Sequence, residues 1–301
     1  MIENRVLILG GGGFIGTNLA EHFASLGHKV TVFDLEKPKN QLKNVEYIEG
    51  DFFDDATLSG IAKEKDIIIH AISTVNPGNS NVRFLQGYEK DLVQTVKLCS
   101  MLIGTQTKLV FLSSGGTVYG NQTIMPIKES FLPKPINHYG SIKLCIENIL
   151  RAFNTQFKTH FIIARVANPY GPGQDYRKGV GFIDAALKKV ICGEKVEIWG
   201  DGENVRDYIY ITDVCRMVHT LCYYEGSEDT FNISSGTGVS QNGILEILKK
   251  NGFTPDVTYK QARTVDVKKM ILDNSKITSV YKGPITDLNS GIKAYLSYLL
   301  K

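Results

Sequence analysis

Arg5-Val-Leu-Ile-Leu9 runs straight into Gly10-Gly-Gly-Gly-Phe-Ile-Gly16, and no other stretch restricts the fold of this chain as much. The apolar run predicts a buried strand and the glycines a tight turn; Phe14, Ile15, Leu19 and Phe23 at helical spacing predict the helix that follows. Gly10, Gly13 and Gly16 stand at the spacing of a dinucleotide fingerprint. In that reading Gly10 allows the sharp turn, Gly13 lets backbone approach a pyrophosphate, and Gly16 packs the helix tightly. Phe14 and Ile15 open the helix whose N-terminus faces the phosphates, so they join the cofactor-binding set.

Lys29-Val-Thr-Val-Phe33 reads as a second strand, ending in Asp34 about 20 residues beyond the glycines. An acidic side chain there accepts hydrogen bonds from both ribose hydroxyls of NAD and repels the 2′-phosphate of NADP, so NAD is the expected cofactor.

The rest of the chain predicts a Rossmann-type, doubly wound parallel sheet of the α/β class. Val45–Glu49, Asp66–His70 and Lys108–Leu112 read as strands, helical spacing covers 82 to 103, and a helix opens at His138 and runs to about Thr155. Lys158 to Arg165 returns as a sixth strand. Asp51 and Phe52 fall where an adenine ring would lie, and Asp51 could equally be the N-terminal acid of the next helix. Ala71 and Ser73 are small residues where a cofactor must come close to backbone. His70, ending an apolar strand, reads as a core histidine rather than a base.

From about 171 the elements shorten: a helix at 180 to 192, strands at Val196–Trp199 and Arg206–Ile211, a helix near 240 to 250, a strand near 257 to 260, and an amphipathic tail from about Thr286. Residues 1–170 are therefore expected to form the NAD-binding domain, with later segments free to return to it. Residues 171–301 are expected to form a smaller C-terminal α/β substrate-binding lobe.

Composition narrows the partners. Among 301 residues the formal net charge is +3, with acids and bases mixed throughout. No basic stripe results, which argues against nucleic acid and against a membrane surface. No apolar run approaches the ~18 residues of a membrane span, and the first strand begins close to the N-terminus, so a cytoplasmic protein is expected. Cys99, Cys145, Cys192, Cys215 and Cys222 lack metal-type pairing; no metal is expected, and the thiols are expected to be reduced and buried on helices.

Tyr139 and Lys143, four residues apart, share one helix face. They follow the hydroxyl-rich strand end Ser113-Ser-Gly-Gly-Thr-Val-Tyr-Gly120, at the sheet edge where ligands bind in open α/β folds. A free phenol titrates near 10, so a phenolate at neutral pH needs a shift of about 3 units, or roughly 4 kcal/mol. A positive charge ~5 Å away at an effective dielectric of ~20 is worth about 3 kcal/mol. Lys143 and an oxidised nicotinamide are expected to supply it, so that Tyr139 takes a proton from a substrate hydroxyl while the same carbon gives hydride to NAD.

Taken together, Gly10-x-x-Gly13-x-x-Gly16, Asp34, Ser113-Ser114 through Val118-Tyr-Gly120, Tyr139-x-x-x-Lys143, Arg165-x-x-Asn168-Pro-Tyr-Gly and Arg206-Asp-Tyr resemble the extended short-chain dehydrogenase/reductase family. Within it the likeness is to the NAD-dependent sugar-nucleotide epimerase/dehydratase group, and to UDP-glucose 4-epimerases in particular. The resemblance implies that Tyr139 is the catalytic base and that Lys143 holds the nicotinamide ribose. Asn168 and Trp199 would contact the sugar nucleotide, Arg206 and Arg263 would grip its diphosphate through charge-assisted bonds, and Asp266 would bond the nucleoside ribose.

The family places a catalytic Ser or Thr three residues before the Val of Val-Tyr-Gly, where this chain has Gly115. Ser114 and Thr117 are the nearest hydroxyls, and either could bond the substrate. Family 4,6-dehydratases carry an Asp-Glu pair where this chain has Gly116-Thr117, so water elimination is disfavoured. The expected activity is reversible C4 epimerisation of a UDP-hexose or UDP-N-acetylhexosamine through a 4-keto intermediate, in polysaccharide biosynthesis. The competing readings are an NAD(P)H-dependent 4-keto sugar-nucleotide reductase and a nucleotide-binding relative without turnover. Relatives often pair through the helices at about 85 to 103 and 140 to 155, so a homodimer is one expectation.

Overall fold

The computed structural model describes residues 3–38, 40–262 and 267–301. The first half of the chain alternates as sequence spacing predicts: β1 (Arg5–Leu9), α1 (Phe14–Ser25), β2 (Lys29–Asp34), β3 (Val45–Glu49), α2 (Asp55–Ala62) and β4 (Ile67–His70). A single turn, α3 (Phe84–Gln86), passes through a π-helical turn (Gly87–Asp91) into α4 (Leu92–Met101), and β5 (Lys108–Ser114), α5 (His138–Phe157), β6 (Ile162–Val166) and β7 (Asn168–Tyr170) follow. The remainder holds α6 (Phe182–Ile191), β8 (Val196–Trp199), β9 (Val205–Tyr210), α7 (Ile211–Cys222), β10 (Thr230–Ile233), β11 (Gly238–Ser240), α8 (Gln241–Lys250), β12 (Val257–Lys260), β13 (Lys269–Met270), α9 (Ser275–Val280) and α10 (Leu288–Leu299).

Seven strands form one parallel sheet in the order β10-β6-β5-β4-β1-β2-β3. The alternation along β1 shows why it is apolar without interruption: Val6 and Ile8 pack on the face carrying α1 and α7, and Leu7 and Leu9 on the face carrying α2, α4 and α5. A strand covered on both sides has no position for a polar side chain. Strand order reverses between β1 and β4, and a crevice opens outside the carboxyl ends of strands at such a reversal. A third core, with Leu187, Ile198, Tyr208, Leu245, Ile292 and Tyr295, builds the smaller lobe from α6, β8, β9, α8 and α10.

Three features depart from the sequence pattern. The 82–103 segment is broken by the π-helical turn. The sixth strand starts at Ile162, because α5 continues to Phe157 and ends at Lys158 in the left-handed region. Thr230–Ile233, deep in the second half of the chain, pairs with β6 as the edge strand of the large sheet. The cysteines also differ: Cys99, Cys215 and Cys222 are buried, but Cys145 is half-buried and Cys192 is exposed, the latter because it stands past the end of α6.

Candidate active site

The glycine turn has the geometry its spacing predicts. Gly10 sits at φ +83°, open to glycine without strain. A Cβ on Gly16 would lie 2.3 Å from the Gly10 carbonyl oxygen, so α1 reaches β1 only because that side chain is absent. Gly13 is different: its nearest neighbour to a Cβ is 3.4 Å away, and its free side faces a cavity. Gly13 is also the N-cap of α1, with no side-chain cap and no acid in the first turn, which leaves the helix amides at Phe14 and Ile15 available to an anion.

That cavity, about 880 Å³, is where the other elements converge. Gly10, Gly13, Phe14, Ile15 and Gly16 line it from β1–α1, and Ala71 and Ser73 from the end of β4. Ser114 and Thr117 line it from the end of β5, Tyr139 and Lys143 from α5, and Asn168, Trp199 and Arg206 from the lobe side. A smaller recess of about 230 Å³ shares Gly10, Gly13, Ala71 and Ser73 with it and is walled by Asp34, Asp51 and Phe52. Arg263 and Asp266 lie outside the described residues.

Asp34 ends β2 with one carboxylate oxygen accepting the Gly12 amide at 2.9 Å and the other the Leu35 amide at 2.8 Å. Each oxygen keeps a lone pair for a ribose hydroxyl. Asp51 is exposed and accepts the Phe53 amide at 2.9 Å; the carboxylate that caps α2 is Asp54, so Asp51 is not the helix acid. Phe52 turns its ring inward, 5.3 Å from the His70 ring, and offers the recess little beyond backbone. His70 is a neutral core residue: Nε2 meets the Thr95 hydroxyl at 3.0 Å and burial pushes its pKa down to about 3. Cradle, anion-seeking amides and acceptor carboxylate fit a dinucleotide.

The N-cap of α5 is Asn137, whose side chain accepts the Gly140 amide at 2.8 Å. A Cβ on Gly140 would lie 2.6 Å from the Thr117 carbonyl, so the strand-end loop rests directly on the first turn of the helix, beside Tyr139. Lys143 is 2% exposed; its Nζ donates to the Leu112 carbonyl at 3.0 Å and lies 4.6 Å from the Phe111 ring centre and 5.6 Å from that of Tyr139. Burial pulls the ammonium down to about 8, against the opposing charges of Asp91 and Glu147. The sequence expectation assigns the lowering of Tyr139 to Lys143 and an oxidised nicotinamide together; the protein's own surroundings act the other way. Burial, helped by the negative charge of Asp91, pushes the phenol up to about 12.

The substitution at position 115 has a physical cause. A Cβ there would come within 2.4 Å of Leu272 Cδ1 and 3.0 Å of the Arg165 carbonyl, so the position faces packed core and has no room for a serine. Of the hydroxyls this segment brings to the cavity, Ser113 is held by Glu147, which leaves Ser114 and Thr117, and Thr117 Oγ1 is buried without a hydrogen-bond partner among the described residues. On the lobe side, Asn168 Nδ2 donates to the Asp207 carbonyl at 2.9 Å, and Arg206 Nη1 to the Val205 carbonyl at 2.9 Å. Asp207 is turned inward, accepting from Ser235, Gly236 and Leu272, and burial raises it to about 6. Gln174 and Gln241 also line the cavity; no motif marks them, because only the fold of the lobe brings them there, whereas Tyr208, also on the wall, belongs to the Arg206-Asp-Tyr motif.

Known proteins are similar to this chain over most of its length. A dTDP-4-dehydro-6-deoxyglucose reductase of Escherichia coli is 31% identical over 262 residues, covering 82% of this chain and 81% of that one. A UDP-glucose 4-epimerase of Halalkalibacterium halodurans is 26% identical over 296 residues, covering 91% and 89%. The crystal structure of a Thermotoga maritima UDP-glucose 4-epimerase with UDP-glucose superposes with a TM-score of 0.92 at 29% identity and covers 98% of both chains. The family match runs from residue 6, inside β1, to residue 234, just past the edge strand β10, so it spans the entire parallel sheet, and the chain belongs to the NAD dependent epimerase/dehydratase family.

Proposed function

We propose that this chain interconverts the C4 epimers of a UDP-hexose or UDP-N-acetylhexosamine with NAD as its cofactor. The observation that carries the reading is the Tyr139–Lys143 pair standing in the crevice that the glycine turn opens, beside the unpartnered Thr117 hydroxyl and without an acid pair at Gly116-Thr117. The similarity to UDP-glucose 4-epimerases over nearly the full chain supports it. Residues 1–170, joined by β10, serve the cofactor; residues 171–301 supply the lobe over the sugar nucleotide.

Gly10, Gly13 and Gly16 with the amides at Phe14 and Ile15 hold the pyrophosphate, and Asp34 the adenosine ribose. Asp51 and the Phe52 backbone border the adenine, Ala71 and Ser73 floor the crevice, and Lys143 holds the nicotinamide ribose. Tyr139 takes the proton of the C4 hydroxyl, which Ser114 or Thr117 orients. Asn168, Trp199 and Arg206 hold the UDP portion, and the family likeness adds Arg263 and Asp266. When bound, NAD supplies a reversible acceptor for the electron pair leaving C4.

Bringing a phenol from about 12 to neutral pH requires about 7 kcal/mol. Lys143 already stands beside the ring at that value, so proton release from Tyr139 needs a further positive charge in the crevice. The base is therefore inert until the site is loaded.

Incubation with UDP-glucose and with UDP-N-acetylglucosamine, followed by analysis of the product sugars, tests the reading; C4 inversion without added reductant is the expected result. The 31% identity to a 4-keto sugar-nucleotide reductase favours one alternative. It would declare itself by steady consumption of NADH on a 4-keto sugar nucleotide, with no inversion of either UDP-sugar.

No helix among the described residues is long and apolar enough to cross a membrane, and we place the protein in the cytoplasm. We place a homodimer contact on α3 and α4, where Leu85, Val93 and Val96 are exposed.

A further inference from the structure

Asp91 closes the π-helical turn between α3 and α4 and is 3% exposed. Among the described residues its carboxylate forms no ion pair; it accepts the Ser73 hydroxyl at 3.0 Å and the Thr74 amide at 3.0 and 3.2 Å. Those donors tie the carboxylate to the loop that follows β4. The π-helical turn brings it there. Gly87, at its start, lies so close to α5 that a Cβ would come within 2.3 Å of Ile142 Cδ1 and 3.2 Å of Val75. The widened turn thus lies on the helix that carries Tyr139 and Lys143, and π turns inserted in α-helices concentrate at functional sites. Ser73, which Asp91 holds, lines both the cavity and the recess.

We propose that Asp91 is a positioning residue: its carboxylate pins the Ser73–Thr74 floor of the crevice and sets where the proton of the Tyr139–Lys143 pair resides. The inference deepens the epimerase reading and rests on it for its kinetic consequence. Asp91 acts on both members in the same sense, favouring the ammonium on Lys143 and the phenol on Tyr139. Lys143 thereby stays charged despite its burial, and Tyr139 keeps its proton until the crevice is loaded.

The other titratable groups around the pair are already committed. Glu147 of α5 is held by Arg165 and Arg151. His70 of β4 is neutral and meets Thr95, whose hydroxyl donates to the Asp91 carbonyl at 2.7 Å. His138 of α5 meets the Tyr88 hydroxyl at 3.3 Å. Asp91 is the charge left to set the balance.

The test is a pH titration by carbon-13 NMR of protein labelled at lysine Cε and tyrosine Cζ. Lys143 is followed in the protein without cofactor and Tyr139 in the NAD-loaded protein, with Lys143→Met and Tyr139→Phe spectra as assignments. In Asp91→Asn both midpoints should fall by about 0.5–1 unit, and the pH profile of turnover should move with them. In Ser73→Ala, which removes a donor and keeps the charge, both should rise; Asp91→Glu should restore values near wild type. Midpoints unmoved in Asp91→Asn, or falling in Ser73→Ala, would overturn the proposal even if stability or NAD affinity drops. Neither titration uses a sugar substrate, so a protein that inverts no sugar yet shows the paired shifts loses the epimerase reading and keeps this one.

Discussion

Two polar clusters lie one turn apart on α5, one in the core and one on the cavity wall, and they are finished to different degrees. Around Glu147, which is fully buried, every charge has its counterpart: Oε1 accepts the Ser113 hydroxyl at 2.6 Å and Arg165 Nε at 2.9 Å, and Oε2 accepts Arg165 Nη2 at 2.6 Å and Arg151 Nη2 at 3.1 Å. Arg165 Nη1 donates to the Tyr119 hydroxyl at 2.8 Å, and that hydroxyl to Asn232 Oδ1 at 2.7 Å. Burial works against the Arg165 charge, and Glu147 more than offsets it, holding the guanidinium above its usual range. Around Tyr139 and Lys143 the ammonium has one carbonyl acceptor, and the phenol hydroxyl and Thr117 Oγ1 have no partner among the described residues. A saturated cluster in the core fixes structure; an unsaturated one on the cavity wall waits for groups the protein does not supply.

Removing the Tyr139 hydroxyl should have the largest effect and should spare the fold. Tyr139→Phe is expected to lower turnover by about 1,000-fold, with a thermal midpoint within about 1 °C of wild type. A fall of several degrees would move Tyr139 into the scaffold class and erase the contrast.

Glu147→Gln asks the opposite question. Arg165 would be left buried with too little negative charge, and urea unfolding should show a loss of about 3 kcal/mol, while the folded fraction still binds NAD. A loss below about 1 kcal/mol would mean the network is not what holds β5, β6 and α5 together.

The smallest expected effect is a gain. Lys143 is held near 8 against a usual value of 10.5, so its charge is costly in the fold at neutral pH. Lys143→Met should abolish turnover yet stabilise the protein by about 2 kcal/mol at pH 7, somewhat less than the roughly 3 kcal/mol of the shift because the Leu112 carbonyl loses its donor. The sign follows from proton counts: between about 8 and 10.5 the unfolded chain binds more protons than the folded one, so wild-type stability rises with pH across that window. The methionine variant should lack that rise, and unfolding curves at pH 7 and pH 10 would show whether it does.

The contrast explains what the sequence could and could not disclose. Buried parallel strands are uninterrupted apolar runs, so β1, β2 and β4 declare themselves, and glycine chemistry at positions 10, 13 and 16 is local enough to read directly. Strand β10 hid because Thr230-Phe-Asn-Ile233 is short and carries Asn232 in its middle, which is polar for the sake of Tyr119, Ile127 and Asp273. The π-helical turn hid because one extra residue in a turn barely alters apolar spacing. At Gly115 the deciding neighbour is Leu272, far away along the chain. The upward push on Tyr139 is hidden for a related reason: the lysine is visible as a motif, but the burial and the Asp91 charge belong to the assembled fold. Asp91 itself has no signature beyond being an acid in a helical segment.

The late arrival of Thr230–Ile233 bears on how the molecule is made. As synthesis proceeds, the ribosome releases six strands of the parallel sheet well before the seventh, and during that interval β6 presents a bare edge while Tyr119 and the Ile127 carbonyl lack the Asn232 amide that later joins them. The nascent polypeptide must keep that edge from pairing with strangers until residue 233 has emerged. A nucleotide crevice begun at Gly10 is thus braced only once Thr230–Ile233 has been made.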